Sequence, residues 1–150
     1  MCQKLESIGC SYLTVHARTK YERHEPIHLD ELKLVADCSH KMPIVANGDL
    51  FSLDDCKAIC KQAKLRGVMC ARGLLENPAL FAGYTNTPID CIREWLQISL
   101  KDGTNFSYFH SVLCQMLQNV LSKTERRYFN TLATTSSVVD YLNENILFTL

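Results

Sequence analysis

A parallel α/β fold that gives way to an all-helical segment is what this sequence predicts, and two observations carry the prediction. Three times a short apolar run ends in polar residues. Tyr12-Leu13-Thr14-Val15 runs into His16-Ala17-Arg18-Thr19, Pro43-Ile44-Val45-Ala46 into Asn47-Gly48-Asp49, and Gly67-Val68-Met69-Cys70 into Ala71-Arg72-Gly73. Asn, Gly and Asp are depleted from strand interiors and favoured in turns, so each run reads as a strand ending at a polar tip. Segments with helical periodicity separate the runs, and that alternation is the pattern of a parallel sheet whose chemistry sits at the strand C-termini. Beyond Gly83 the alternation stops.

Met1 to Gly9 reads as the end of a helix, with Leu5 and Ile8 apolar and Gly9 as its stop. Cys10 to Val15 is the first strand, followed by a charged loop over Lys20 to Glu25 that Pro26 closes. The next helix covers roughly His28 to Cys38, with Leu29, Leu32, Val35 and Ala36 on one face. Ile44 to Ala46 is the second strand. Ser52-Leu53-Asp54-Asp55 has the form of an acidic capping box, hydroxyl at N-cap and carboxylate at N3, opening a helix to about Ala63. Gly67 to Cys70 is the third strand, and Asn77-Pro78 opens a short helical turn through Phe81.

Thr87-Pro88-Ile89-Asp90 starts a helix with Pro at N1 and Asp at N3, burying Ile89, Ile92, Leu96 and Leu100 before Asp102-Gly103 ends it. Three more helices are expected at roughly Ser107 to Leu121, Lys123 to Leu132 and Ser136 to Asn143. The division therefore falls near Gly83 to Thr87, giving an α/β part over residues 1–83 and a helical part over 84–150.

At 150 residues, with 47% hydrophobic content, the chain is long enough to bury a core. Sixteen acids balance sixteen bases, so composition gives no support for a generally basic surface coating nucleic acid. The eight cysteines include Cys56 and Cys60 within one helix and no Cys-x-x-Cys pair. That placement argues against a disulfide scaffold or zinc site and for small buried side chains in a reducing compartment. No leader opens the chain and no apolar run approaches a membrane span, so an intracellular protein is expected, cytoplasmic or nuclear, with no membrane and no metal.

Asn47-Gly48-Asp49 and Ala71-Arg72-Gly73 make most sense together. In a β/α barrel the loops after the last two strands commonly hold a phosphate through backbone N–H groups. Glycine permits close approach, and Arg72 adds a charge-assisted donor. Taken singly, the first is a turn and the second a surface charge; as two tips at one barrel end they point to a ligand. His16 and Arg18 share that end, and a contact with ligand is favoured over a structural role. Lys123, Arg126 and Arg127 form the compact basic cluster of the helical part, read either as a solvated helix face or as an RNA contact.

The segments Leu13–Thr19, Pro43–Asp49 and Gly67–Gly73, followed by Asn77-Pro78 and Phe81, resemble the tRNA-dihydrouridine synthases over about residues 5–82. Phe129-Asn130-Thr131-Leu132 and Val138-Val139-Asp140-Tyr141-Leu142 are most similar to the eukaryotic synthase-4-like branch. The resemblance implies the last three β/α units of a TIM (β/α)8 barrel followed by a helical tRNA-binding domain. It implies FMN, reduced by NADPH or NADH, delivering hydride to the C5–C6 double bond of a uridine in the tRNA D-loop, with a cysteine as acid. His16 is then the flavin contact, and Asn47, Gly48, Asp49, Ala71, Arg72 and Gly73 cradle the ribityl phosphate. Arg18, Lys123, Arg126 and Arg127 are the expected tRNA contacts, and the complete enzyme is expected to be a monomer.

Two departures accompany the resemblance. Ala17 and Ala71 stand where the family usually has Gly, which is tolerable at negative φ and strained at positive φ. The catalytic cysteine and the flavin-ring lysine belong to barrel segments with no match here. The expectation is a C-terminal fragment or a short form, inactive alone. Two other readings stay open: a non-catalytic tRNA-binding or interaction module, and a phosphate-binding flavin barrel of the dihydroorotate-dehydrogenase type. The helical tail and the Val15–Thr19 tip argue against the latter.

Overall fold

The computed structural model of the protein describes residues 1–22 and 25–147. Arg23 and His24, in the charged loop expected over residues 20–25, lie outside them. The chain falls into two compact units, Met1–Gly73 and Leu74–Leu150. The stretch 74–83, which the sequence pattern groups with the strands, makes its contacts within the second unit.

The first unit is mixed α/β. Its elements are α1 (Cys2–Ser7), β1 (Leu13–His16), α2 (Leu29–Asp37), β2 (Ile44–Asn47), α3 (Leu53–Gln62) and β3 (Gly67–Met69), and α4 (Arg72–Glu76) follows at once. The strands form a parallel sheet in the order β1-β2-β3. Leu13 pairs with Ile44 and Val15 with Ala46, while Thr14 faces Val45 and Val45 faces Gly67. Side chains alternate between the two faces of a strand. Leu13, Val15, Ile44, Ala46 and Val68 therefore turn together toward the helices, where they meet Leu5, Leu32, Val35 and Ile59. The opposite face carries Thr14, Val45 and Gly67 in one row and His16, Asn47 and Met69 in the next.

Local chemistry explains most boundaries. Ser52 Oγ accepts from Asp55 N at 3.0 Å and starts α3 as expected. The carboxylate does not close the box on Ser52; Asp55 Oδ2 accepts from Phe51 N, one residue earlier. β1 begins three residues later than the apolar run suggests and includes His16. Cys10 N is taken by Leu5 O, and Gly9 has φ +88, so the chain is still closing α1 at that point. Glu6 joins α1 to the loop before β2 by accepting from the backbone N–H groups of His40, Lys41 and Met42. α4 has no counterpart in the sequence reading: it is five residues long and holds a glycine at its second position.

The second unit is helical. A 3-10 turn at Leu80–Ala82 precedes α5 (Ile89–Lys101), α6 (Phe106–Met116), α7 (Lys123–Phe129) and α8 (Thr135–Leu142), and a π-helical turn covers Asn143–Leu147. Pro88 is the N-cap of α5 rather than its first helical residue, so Asp90 stands at the second position. Thr87 does not cap; its hydroxyl donates to Glu76 O at 2.6 Å. Ile89 and Leu100 are exposed, and the buried stripe of α5 is Ile92, Leu96 and Ser99. Ile92 and Leu96 pack with Phe109, Leu113, Leu117 and Leu142. α6 stops at Met116 because the next residues switch to tighter turns, with Gln118 N on Gln115 O and Val120 N on Leu117 O.

Nine large side chains are fully buried among the described residues, and Leu32 alone belongs to the first unit. Each such side chain contributes on the order of 1.5–3 kcal/mol. Among the described residues the helical unit thus carries most of the apolar stabilisation, while the helices of the first unit cover one face of the sheet.

Candidate functional site

The three strand tips converge because the strands are parallel and in register. His16 pairs with Asn47, and Asn47 with Met69, so one cross-strand row ends all three strands on the face away from the helices. An open recess of about 260 Å³ lies beyond that row. His16, Asn47, Gly48, Asp49, Ala71, Arg72 and Gly73, the residues singled out by the sequence, all line it. Leu50, Phe51, Met69 and Cys70 line it too and were not singled out, although each lies within two positions of a residue that was.

Gly48 has φ +124, a conformation that side chains other than hydrogen rarely adopt. A Cβ there would stand 2.7 Å from Ile27 Cγ2 and 3.1 Å from His16 Cδ2 and Nε2. Glycine is required twice over, for the turn and for the closing of Ile27 and the His16 ring on the backbone. Asp49 follows at φ +53, in the left-handed region that Asp and Asn tolerate best among residues with side chains. Among the described residues only Asp49 and Lys64 are non-glycine residues with positive φ, so Ala17 and Ala71 meet no left-handed strain.

Arg18 is turned inward. Its side chain is only 4% exposed, and one guanidinium nitrogen is bound to Asp49 Oδ2. Its Nε is buried and has no hydrogen-bond partner among the described residues. Arg72 lies 3.7 Å from Asp49 Oδ1, is 58% exposed, and carries its guanidinium 5.5 Å from the centre of the Phe51 ring. Two cations share one carboxylate, which leaves the cluster with a surplus positive charge beside the recess. Cys70 Sγ donates to Leu50 O at 2.8 Å and Asn47 Nδ2 lies 3.7 Å from Met69 Sδ, so the floor of the recess is tied together.

Lys123, Arg126 and Arg127 stand on α7 in the helical unit. Lys123 and Arg127 are exposed, Arg126 is half-buried, and none of the three forms an ion pair among the described residues. Arg126 and Arg127 lie in the last turn, where cations complement the helix dipole. Thr124, Glu125 and Tyr128 line a recess of about 520 Å³ together with Asp140 and Glu144. α7 therefore presents one carboxylate there, Glu125, while Lys123 and Arg127, four residues apart, share another side of it.

The cysteines form no disulfide. Burial pushes the thiols of Cys56, Cys91 and Cys114 up from their ordinary range, which makes them poor nucleophiles. Among the described residues no group of three or more His, Cys, Asp or Glu gathers as metal ligands do, and no helix is long and apolar enough to cross a membrane. Asn77, buried at 4% exposure, accepts from Ala79 N and donates to Tyr84 O, so it organises the turn around Pro78.

The family model described as "Dihydrouridine synthase (Dus)" matches residues 1–145. A Mus musculus protein named tRNA-dihydrouridine(20a/20b) synthase [NAD(P)+]-like is 47% identical over 145 residues, covering 97% of this chain and 44% of the relative. The Homo sapiens protein of the same name is 44% identical, covering 97% of this chain and 45% of the relative. In Schizosaccharomyces pombe, tRNA-dihydrouridine(20a/20b) synthase [NAD(P)+] is 40% identical over 148 residues, covering 98% of this chain and 45% of its own length. The chain thus spans less than half the length of these relatives. With a family match that runs from its first residue to Asn145, this chain belongs to the dihydrouridine synthase family.

Proposed function

We propose that this chain supplies the phosphate-holding end of the cofactor site in a tRNA-dihydrouridine synthase that reduces uridine to 5,6-dihydrouridine with NADPH or NADH. The observation that carries the reading is the convergence of His16, Asn47–Asp49 and Ala71–Gly73 on one recess at the C-terminal ends of three parallel strands. That is where β/α barrels place their ligands. The bare sheet face, with Thr14, Val45 and Gly67 in one layer and His16, Asn47 and Met69 in the next, is what the interior of such a barrel requires. On this reading the three β/α units are part of a TIM (β/α)8 barrel, and α5 to α8 belong to a helical tRNA-binding domain.

The cofactor is FMN, and the residues present suit its phosphate end. Arg72 is an exposed cation beside the recess, the cluster it forms with Arg18 and Asp49 retains positive charge, and Gly48 leaves no side chain over its own backbone. His16, exposed at the tip of β1, would meet the flavin on this reading. FMN supplies the hydride; the part of this chain is to bind and orient it. The acid that completes the reduction is a cysteine elsewhere in the enzyme. The target positions are the 20a and 20b uridines of the relatives' names.

The test is to delete the gene encoding the protein that contains this chain and map dihydrouridine in tRNA by mass spectrometry. Loss at positions 20a and 20b is expected; unchanged dihydrouridine at both would overturn the proposal.

A further inference from the structure

We propose that Arg18 and Asp49 are positioning residues for a phosphate group: Asp49 holds Arg72 over the recess, and the buried Arg18 neutralises Asp49 so that Arg72 is released to the ligand. The inference rests on the phosphate-site reading above. Its basis is that the two guanidiniums hold one carboxylate unequally. Arg18 is buried and hydrogen-bonded to Oδ2, whereas Arg72 stands 3.7 Å from Oδ1 with more than half of its side chain exposed. An exposed ion pair at that distance is weak. Removing one partner from a buried pair strands a charge in low dielectric and is strongly unfavourable.

Arg18 is therefore the permanent partner of Asp49 and Arg72 the exchangeable one. Phe51, with its ring 5.5 Å from the Arg72 guanidinium, offers a platform across which that side chain shifts without losing its stacking. Without Arg18, Asp49 would present a bare carboxylate beside the phosphate and also capture Arg72. With Arg18 in place, the three groups meet a phosphate with one net positive charge.

The experiment measures the affinity of the complete flavin-free enzyme that contains this chain for FMN and for riboflavin, which lacks the phosphate, by flavin fluorescence anisotropy as protein is added. Wild type is expected to prefer FMN; a wild type without that preference overturns the phosphate site itself. Arg18→Met is expected to lower the preference about tenfold or more, the scale of one charged contact. Riboflavin binding should stay unchanged. Adding Asp49→Asn, which tolerates the same backbone, should restore the preference to within about threefold of wild type, a residue of roughly 0.7 kcal/mol.

Losses that persist in the double variant would mean that Arg18 touches the phosphate directly, overturning the positioning role while the phosphate site stands. Equal loss of FMN and riboflavin would reduce Arg18 to a structural residue and also overturns it. If Arg18→Met does not fold, the double variant, which strands no charge, decides alone by the same threefold and tenfold limits.

Discussion

Arg18 and Asp49 are 31 positions apart in sequence and meet as an ion pair because each lies two residues beyond a matched pair, His16 and Asn47, on neighbouring parallel strands. The register of β1 and β2 carries the pairing past the strand ends. Arg72 reaches the same carboxylate from the start of α4, just beyond β3. One carboxylate thus gathers cations from the tips of two flanking strands.

That arrangement sets the first expected outcome. Arg72→Ala in the complete enzyme should weaken FMN binding by roughly 1.5–3 kcal/mol, the range for a hydrogen bond to a charged group. Riboflavin binding should be unaffected. Equilibrium dialysis of the two flavins measures the difference, and unchanged FMN retention would take Arg72 out of the site.

Gly48→Ala should destabilise the first unit by about 1–3 kcal/mol, because positive φ and an overlapping Cβ act together. Its new methyl meets Ile27 Cγ2 at 2.7 Å and the His16 ring at 3.1 Å. Adding Ile27→Ala should relieve the overlap with Ile27 and leave the backbone strain. Chemical denaturation of the single and double variants reads both parts, and a single variant as stable as wild type contradicts the geometry of this turn.

Glu6 gives the pH dependence. Its carboxyl is held below the ordinary carboxylate range, first by the His40 backbone N–H and then by those of Lys41 and Met42. A depressed folded-state pKa contributes stability that is present above the unfolded value and lost as pH falls through the folded one. The stability difference between wild type and Glu6→Gln should therefore be largest above about pH 4.5 and shrink below it. Thermal melts across that window check it; a difference that grows on acidification has the wrong sign.

Neutralising Lys123, Arg126 and Arg127 together should reduce the slope of log affinity for tRNA against log salt by about two to three units. The three stand on α7 without ion-pair partners among the described residues, so removing them strands no carboxylate. A slope that does not move returns them to the role of helix-terminal charges.

How much of this was legible in the sequence follows from the range of the physics involved. Local signals were readable: Ser52 caps α3, and Asp102-Gly103 ends α5 with Gly103 at φ +64. The strand tips were readable because Asn-Gly-Asp and Ala-Arg-Gly each interrupt an apolar run. Ile89 and Leu100 were misjudged because a helix's apolar residues do not reveal which ones its neighbours reach. The Arg18–Asp49 pair was out of reach because it depends on strand register, which a pattern of apolar residues does not state. Its only sequence trace is that both residues stand three positions beyond the end of an expected strand.

Residues 1–150 alone should neither retain stoichiometric FMN nor reduce tRNA. Among the described residues β1 and β3 are paired on one side only, so the three-stranded sheet has two open edges, and its His16, Asn47 and Met69 row faces away from the helices. Parallel sheets are stable when both faces are covered. The first unit contributes one of the nine large fully buried side chains among the described residues, so its own core does little to offset that exposure. The recess gathers groups suited to a phosphate, whereas the isoalloxazine ring would find little beyond His16 and Met69. Binding should then be weak and governed by the phosphate, and none of the cysteines here combines an exposed strand tip with a thiol free of burial or hydrogen bonding. The helical unit, with its dense core around Phe109 and Phe129, should fold and supply most of the cooperative melting signal. The measurements are the flavin absorbance of the purified chain and dihydrouridine formation with NADPH. A yellow protein with one FMN per chain and measurable turnover would show that the sheet needs no further strands.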